Sequence, residues 1–258
     1  MPSPVEFLRH FHSEEEFGRL YSLFLSKTLL LIYNPAVRSI LKSSNFILEE
    51  KISGIHSHRE NKNIFAAPCK MGSSSVAEQI ELFSCFGFST IIQIGLAGSF
   101  SEDIRLSDIY ISKGAFAESL VPYVYLSKPF SYSPDNPYFF SKTLFQADEN
   151  LSKDLFLSLS PHFPSGKTSS TLHSGFHFST DLLYKETTEK FNILKSSDAK
   201  VVEMEGATIF SICRSKNIKS SGIYIISDKI AEGTWIQNWG SPAIRDIYHK
   251  IIGLLLLE

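Results

Sequence analysis

Cys69, Cys85 and Cys213 are the only thiols in 258 residues. Their number is odd and no two have metal-ligand spacing, which argues against a disulfide framework and a zinc site. They read as buried, reduced thiols. A basic excess is also lacking: 25 Lys and Arg stand against 27 Asp and Glu, a net charge of −2. Surfaces that hold nucleic acid usually carry a positive excess, so no nucleic acid partner is expected. Long apolar runs are missing as well. The longest near the C-terminus, Ile251 to Leu257, is interrupted by Gly253 and falls far short of the roughly 20 residues that cross a bilayer. Met1 to Phe11 has neither a long apolar core nor a small-residue cleavage site, so it does not read as a signal peptide. The expectation is a soluble, cytoplasmic protein with no membrane contact.

Hydrophobic residues make up 43% of the chain and charged residues 20%, enough apolar material for a sizeable core. Short apolar runs alternate with helical periods. Strands are expected at Lys27–Tyr33, Asn63–Ala67, Thr90–Gly95, Asp108–Ser112, Lys200–Met204 and Ser221–Ser227. Helices are expected at Ala36–Ser43, Ser73–Phe86, Thr187–Ser197, Gly206–Lys216 and Ala243–Leu257. This pattern predicts an α/β architecture over residues 1–258: one domain with a central mixed β-sheet flanked by helices in three layers. Leu126 to Ser170 is rich in Ser, Pro, Phe and Tyr and reads as a variable excursion holding one helix near Asn150–Ser158.

Some signals are set aside. Gly166-Lys167-Thr168 resembles the end of a P-loop, but Pro161 stands where the first glycine belongs. The pairs His56/His58 and His173/His177 have no carboxylate or Cys at helical spacing, so they read as surface or loop histidines and no metal is expected. His12 to Glu16 reads as a solvated helix start with Ser13 as its cap.

The informative stretch is Val201 to Lys229. Glu203 and Glu205 flank Met204 at the end of a short strand, and Gly206 and Ala207 follow. Alternation puts the two acids on one side and Met204 on the other. A carboxylate there can accept two hydrogen bonds from a vicinal diol such as a ribose. Ser227-Asp228 follows the apolar strand GIYII, and strand carboxyl ends are where ligands gather in open α/β sheets. Asp228 is well placed for acid–base work. Taken alone, Asp228 and Glu205 each read first as the cap of a turn or helix.

Together, VEMEGA at Val202–Ala207 and ISD at Ile226–Asp228 resemble the C-terminal half of the nucleoside phosphorylase superfamily. That superfamily includes purine nucleoside and uridine phosphorylases, methylthioadenosine/adenosylhomocysteine nucleosidases and futalosine hydrolases. FSTDLLY at Phe178–Tyr184 looks like the segment that carries a base-stacking aromatic. GFSTIIQIGLAGSF at Gly87–Phe100 looks like the glycine-rich strand-turn, and DIYISKGAFAES at Asp108–Ser119 like the strand after it. IYNPAVR at Ile32–Arg38 is a weaker match to the first phosphate loop. The resemblance implies cleavage of a nucleoside N-glycosidic bond. Glu205 would hold the ribose hydroxyls and Met204 would line the sugar. Val202 and Glu203 would sit near the base, with Phe178 and Leu183 in the stacking segment. Asp228 would be the general acid toward N7 of a purine. Gly95, with Ala97 and Gly98, would let the backbone approach the sugar or nucleophile.

The chain departs from the pattern in ways that bear on the acceptor. Leu183 replaces the stacking Phe. Thr187 and Glu189 replace the uracil-reading Gln and Arg, which speaks against uridine. Gln93 stands where phosphorylases use a phosphate-binding Arg, and Leu96 where they use a Ser. Arg38 alone is retained of the phosphate set, and one Arg holds a dianion weakly. Water is therefore favoured over phosphate as acceptor, although Asn34 and Pro35 replace the hydrolases' water-activating Glu. Phosphorolysis to ribose 1-phosphate, with phosphate as co-substrate, is the alternative. A nucleoside-binding homologue without turnover is the second. The resemblance also implies a homo-oligomer, dimer or hexamer, no cofactor, and an Arg near the acid; Arg245 is the residue on the closing helix for that role.

Overall fold

A computed structural model describes residues 3–50, 54–128, 143–164, 166, 170–182, 190, 192, 194, 197–231 and 234–257. Leu183, Thr187 and Glu189 lie outside the described residues, as do Lys167 and Thr168 of the P-loop-like triplet. Of the helix expected over Thr187–Ser197, Lys190, Asn192 and Leu194 are described and helical.

The chain opens with α1 (Pro4–Phe11) and α2 (Glu14–Phe24). Ser3 caps α1 in a capping box with Glu6, and Ser13 caps α2 by accepting the Glu16 N–H. These side chains satisfy amide groups that no helical turn can reach. The strands are β1 (Thr28–Ile32), β2 (Phe46–Glu50), β3 (Ile55–His58), β4 (Ile64–Pro68), β5 (Thr90–Ser99), β6 (Ile109–Ala117), β7 (Phe145–Gln146), β8 (Leu172–Ser179), β9 (Ala199–Glu203), β10 (Lys219–Ala231) and β11 (Thr234–Gln237). The remaining helices are α3 (Val37–Ser43), α4 (Ser73–Cys85), α5 (Val121–Tyr125), α6 (Glu149–Leu159), α7 (Gly206–Ser215) and α8 (Pro242–Leu255).

One sheet runs in the order β11-β10-β6-β8-β9-β5-β1-β4-β3-β2, with β7 on β6. It is mixed: β1 is parallel to β4 and β5, whereas β10 is antiparallel to β6 and β11. Alternate residues of β1 and β4 go to opposite faces. Leu29, Leu31, Phe65 and Ala67 join Leu8, Phe24, Ile80 and Phe210 on one side. Leu30, Ile32, Ile64 and Ala66 join Ile40, Leu155, Tyr248 and Ile251 on the other. This is the three-layer arrangement expected from the sequence. Among the described residues, no helix is long and apolar enough to cross a membrane.

The sheet also closes on itself, which local patterns did not predict. β10 pairs with β5 as well as β6, so β10, β6, β8, β9 and β5 form a ring. β5, β6 and β10 run past the ends expected from their apolar runs. Register shifts at Ser112/Gly114, Phe176/His177 and Ile226/Asp228 interrupt the ladders. Such irregularities bend strands and raise their twist, which closure requires. The histidine reading is corrected here. His56 and His58 lie on β3 and His173 and His177 on β8, with His58 and His177 buried. No metal-holding cluster is found among the described residues.

Candidate active site

The ring brings the ends of β5, β9 and β10 together. Gly98 of β5 pairs with Asp228 of β10 on one side and with Val202 of β9 on the other. A Cβ on Gly98 would lie 2.6 Å from Asp228 Oδ2 and 3.3 Å from Val202 Cγ1. Only a residue without a side chain leaves the Asp228 carboxyl its place here. A cleft opens at this point. Its lining includes Leu96, Ala97, Gly98, Val202, Glu203, Met204, Glu205, Ser227 and Asp228. Tyr33, Pro35, Met71, Thr180 and Trp239 complete it. Met204 lines the cleft together with both acids, against the expectation from alternation. β9 ends at Glu203, and Glu205 is already the cap of α7, with φ −133° and ψ −29°. The period-two rule lapses where the strand does.

Asp228 is held from three directions. Ser227 Oγ donates to Oδ1 at 2.6 Å, Trp239 Nε1 to Oδ1 at 3.0 Å and Trp235 Nε1 to Oδ2 at 3.0 Å. Arg245 is exposed on α8 and is not among these partners. The expected Arg–acid contact is replaced by two indoles, because β11 folds back onto β10 and occupies that place.

Glu203 and Glu205 are both buried and share one amide. Gln93 Nε2 donates to Glu203 Oε2 at 3.4 Å and to Glu205 Oε2 at 3.3 Å, while Tyr224 Oη donates to Gln93 Oε1 at 2.8 Å. Glu203 also accepts from Ser179 Oγ at 2.5 Å and from the N–H groups of Glu205 and Gly206 at 2.8 Å. His177 Nε2 lies 3.0 Å from Glu203 Oε1, and Nδ1 lies 2.8 Å from Ser112 Oγ. Ser112, His177, Glu203, Gln93 and Tyr224 thus form one buried chain of contacts, with one residue from each strand of the ring. Burial pushes the Glu203 carboxyl up, but the His177 imidazole and the donors from His177, Ser179 and the Glu205 amide outweigh it. The net result lies below the usual carboxylate range. Glu205 accepts the Gly72 N–H at 2.7 Å, at the start of α4. Burial and then the neighbouring Glu203 charge hold its carboxyl well above the usual range. The two acids are thus driven apart in acidity by one shared environment.

Removing His177 should expose what this chain of contacts does for folding. Breaking a buried pair leaves an uncompensated buried charge, at a cost of about 3–5 kcal/mol. His177→Ala is therefore expected to lower the unfolding free energy from urea melts by that order, seen as a lower midpoint at unchanged slope. An unchanged midpoint would mean that Glu203 is held by its other donors alone.

The other expected residues divide. Gln93 is buried beneath the acids and Gly95 lies against it, with a Cβ position 3.6 Å from Gln93 Nε2. Phe178 is fully buried in a cluster with Phe100, Leu194, Ala199 and Val202 and is not in the cleft lining. Its expected contact with a base is corrected: it faces the core, and Thr180, two residues on, reaches the cleft. Arg38 is exposed on α3 and is not part of the described lining, although Pro35 just before that helix is. Sequence reasoning missed Trp235 and Trp239 as partners of the acid. The available signal was that the only two tryptophans of the chain follow ISD within a dozen residues.

The profile of the Phosphorylase superfamily matches residues 49–239. The chain belongs to this family. A DeoD-type purine nucleoside phosphorylase of Colwellia psychrerythraea is 25% identical over 241 residues, covering 90% of each chain. The DeoD-type purine nucleoside phosphorylase of Hahella chejuensis is 28% identical over 153 residues, which are 59% of this chain and 57% of that protein. This chain therefore spans little more than half of the latter relative. Among solved structures, 5′-methylthioadenosine/S-adenosyl homocysteine nucleosidase of Campylobacter jejuni superposes with a TM-score of 0.70 at 16% identity, over 90% of this chain and 97% of that one. Purine nucleoside phosphorylase of Toxoplasma gondii in complex with immucillin-H gives 0.68 at 14%, over 92% and 90%. These two likenesses show the shared fold.

Proposed function

We propose that this protein cleaves the N-glycosidic bond of a purine nucleoside, with water as the acceptor. The observation that carries this reading is the charge of the cleft. Its described lining holds three acidic side chains, Glu203, Glu205 and Asp228, and no Lys, Arg or His. A dianionic phosphate would meet no positive side chain in that lining and would lie near the Glu203 charge, in a site of low dielectric where repulsion is strong. Gln93, at the position where phosphorylases bind phosphate, is engaged with both glutamates and Tyr224.

In this reading Glu205 holds the ribose 2′- and 3′-hydroxyls, and Met204 lines the sugar. Val202 and Glu203 border the base. As the bond from C1′ to the base nitrogen breaks, its electron pair leaves with the base and Asp228 delivers a proton to N7. Water adds to the oxocarbenium-like C1′ and loses a proton to solvent, and Asp228 regains a proton from solvent, so the cycle closes. The products are free base and a free sugar. No metal or cofactor enters this scheme. An assembly of identical subunits, dimer or hexamer, and a cytoplasmic setting belong to the same proposal.

Phosphorolysis is the second reading, supported by the names of the sequence relatives. Base release from adenosine, inosine, methylthioadenosine, adenosylhomocysteine, futalosine and uridine, with and without phosphate, separates the two. Release from a purine nucleoside without phosphate is the expected result. Strict phosphate dependence with formation of ribose 1-phosphate would replace water by phosphate. Binding without release of any base would favour a non-catalytic nucleoside-binding role.

A further inference from the structure

We propose that Trp235 and Trp239 form a positioning clamp on Asp228, and that the Trp239 ring is the aromatic wall against which the leaving base sits. This rests on the reading of Asp228 as the residue that faces the base.

The placement follows from strand register. β10 and β11 pair antiparallel, with Asp228 opposite Gln237 and Ile230 opposite Trp235. Asp228 and Ile230 lie on one face of the ribbon, so Trp235 is the diagonal neighbour of Asp228 on that face. Trp239 arrives from the turn after β11, which is fixed by the Asn238 N–H donating to Ser227 O at 2.7 Å. The two rings meet edge to face with centroids 5.3 Å apart, a favoured aromatic geometry. An indole N–H only donates, and here both are aimed at one carboxyl group. Oδ1 accepts twice, from Ser227 and Trp239, whereas Oδ2 accepts from Trp235 alone. Oδ2 is thus the oxygen with a free lone pair, and it is the one beside Gly98 where the cleft opens. The clamp therefore selects the atom that exchanges a proton with the base. Both rings stay partly exposed, at 38% and 37%, although the polar end of each is engaged. Trp239 is also part of the cleft wall. A base held at Asp228 Oδ2 would lie within reach of that ring, which supplies the flat surface that Leu183 cannot.

The chain has no other tryptophan, so its indole fluorescence reports this clamp directly. Adenine is titrated into wild type, Trp235→Phe and Trp239→Phe, and kcat and KM for base release are measured on the same proteins. Saturable quenching is expected in wild type and Trp235→Phe, with at most a small response in Trp239→Phe. Each variant is expected to lose roughly tenfold to a hundredfold in kcat, the worth of one hydrogen bond to a charged group. KM is expected to stay within a few-fold for Trp235→Phe, and the pH profile of kcat to move in both variants, which a purely structural role would not cause. Wild-type kcat and pH profile in both variants would overturn the clamp. Absence of quenching in Trp235→Phe would overturn the wall. If wild type releases no base from any nucleoside, the cleavage reading fails. The clamp is then decided by emission alone: a changed spectrum in Asp228→Ala supports it, and an unchanged one overturns it.

Discussion

Asp228→Asn is expected to lower kcat for base release by about 10²- to 10⁴-fold, the range of a positioned general acid. KM should change little, because the lost proton transfer belongs to the transition state and not to substrate binding. The same substitution should also weaken the fold, for a reason visible in the hydrogen bonds. Both oxygens of Asp228 accept from indole N–H groups. An asparagine amide presents one oxygen and one NH₂, so either flip sets a donor against a donor. Leaving a buried donor unsatisfied costs about 1–3 kcal/mol. A thermal melt should show this loss beside the kinetic one. Full activity in Asp228→Asn would remove Asp228 from proton transfer, whatever its stability. Destabilisation without loss of turnover would mark the tryptophans as a purely structural brace.

Much of this site was legible in the sequence, and the misses have physical causes. Apolar runs found β1, β4, β5 and β10 because the middle of each of those strands is buried on both faces. The same runs ended β5 at Gly95 and β10 at Ser227, where the ladder continues to Ser99 and Ala231. Small and polar residues at the strand ends, including Ala97, Gly98 and Asp228, line the cleft or face its neighbours, so hydrophobicity fades where function begins. Ring closure was hidden because the β5–β10 pairing joins segments over 120 residues apart, and no local pattern reports it. β8 was missed because His173, Ser174, Gly175 and His177 break its apolar alternation. Two of those residues make polar contacts with groups on the flanking strands or at their ends: His173 with Asp108 and His177 with Glu203. Glu205 and Asp228 were found because their neighbours resemble a known family. Their hydrogen-bonding partners Gln93, Gly72, Trp235 and Trp239 come from other strands and turns.

Glu205→Gln should separate function from stability with opposite signs. A carboxylate that accepts from two sugar hydroxyls makes charge-assisted hydrogen bonds of about 1.5–3 kcal/mol each. Losing the charge should therefore reduce kcat/KM roughly 10²- to 10⁴-fold. A 2′-deoxynucleoside tests the assignment. Wild type should discriminate strongly against it, and Glu205→Gln should discriminate far less. Equal discrimination by both proteins would place the diol elsewhere. Stability should move the other way. Glu205 is raised above its unfolded value of 4.5 by burial and by Glu203. Below that value both folded and unfolded chains hold the proton, and the group contributes nothing. As pH rises above it, the unfolded chain ionises first and gains about 1.4 kcal/mol per pH unit until the folded carboxyl follows. Wild type loses stability over this window, whereas the neutral Gln does not. Glu203 acts on the acid side: its lowered carboxyl stabilises above its unfolded 4.5, and that gain is lost as pH falls through its folded value. The pair's combined contribution thus peaks near the ordinary carboxylate value and declines toward neutral pH through Glu205. Urea melts from pH 5 to 8 should show Glu205→Gln pulling ahead of wild type as pH rises. A constant difference across that range would mean that Glu205 ionises in the folded protein as it does in the unfolded chain. In that case the carboxylate that binds the sugar would cost the empty site nothing.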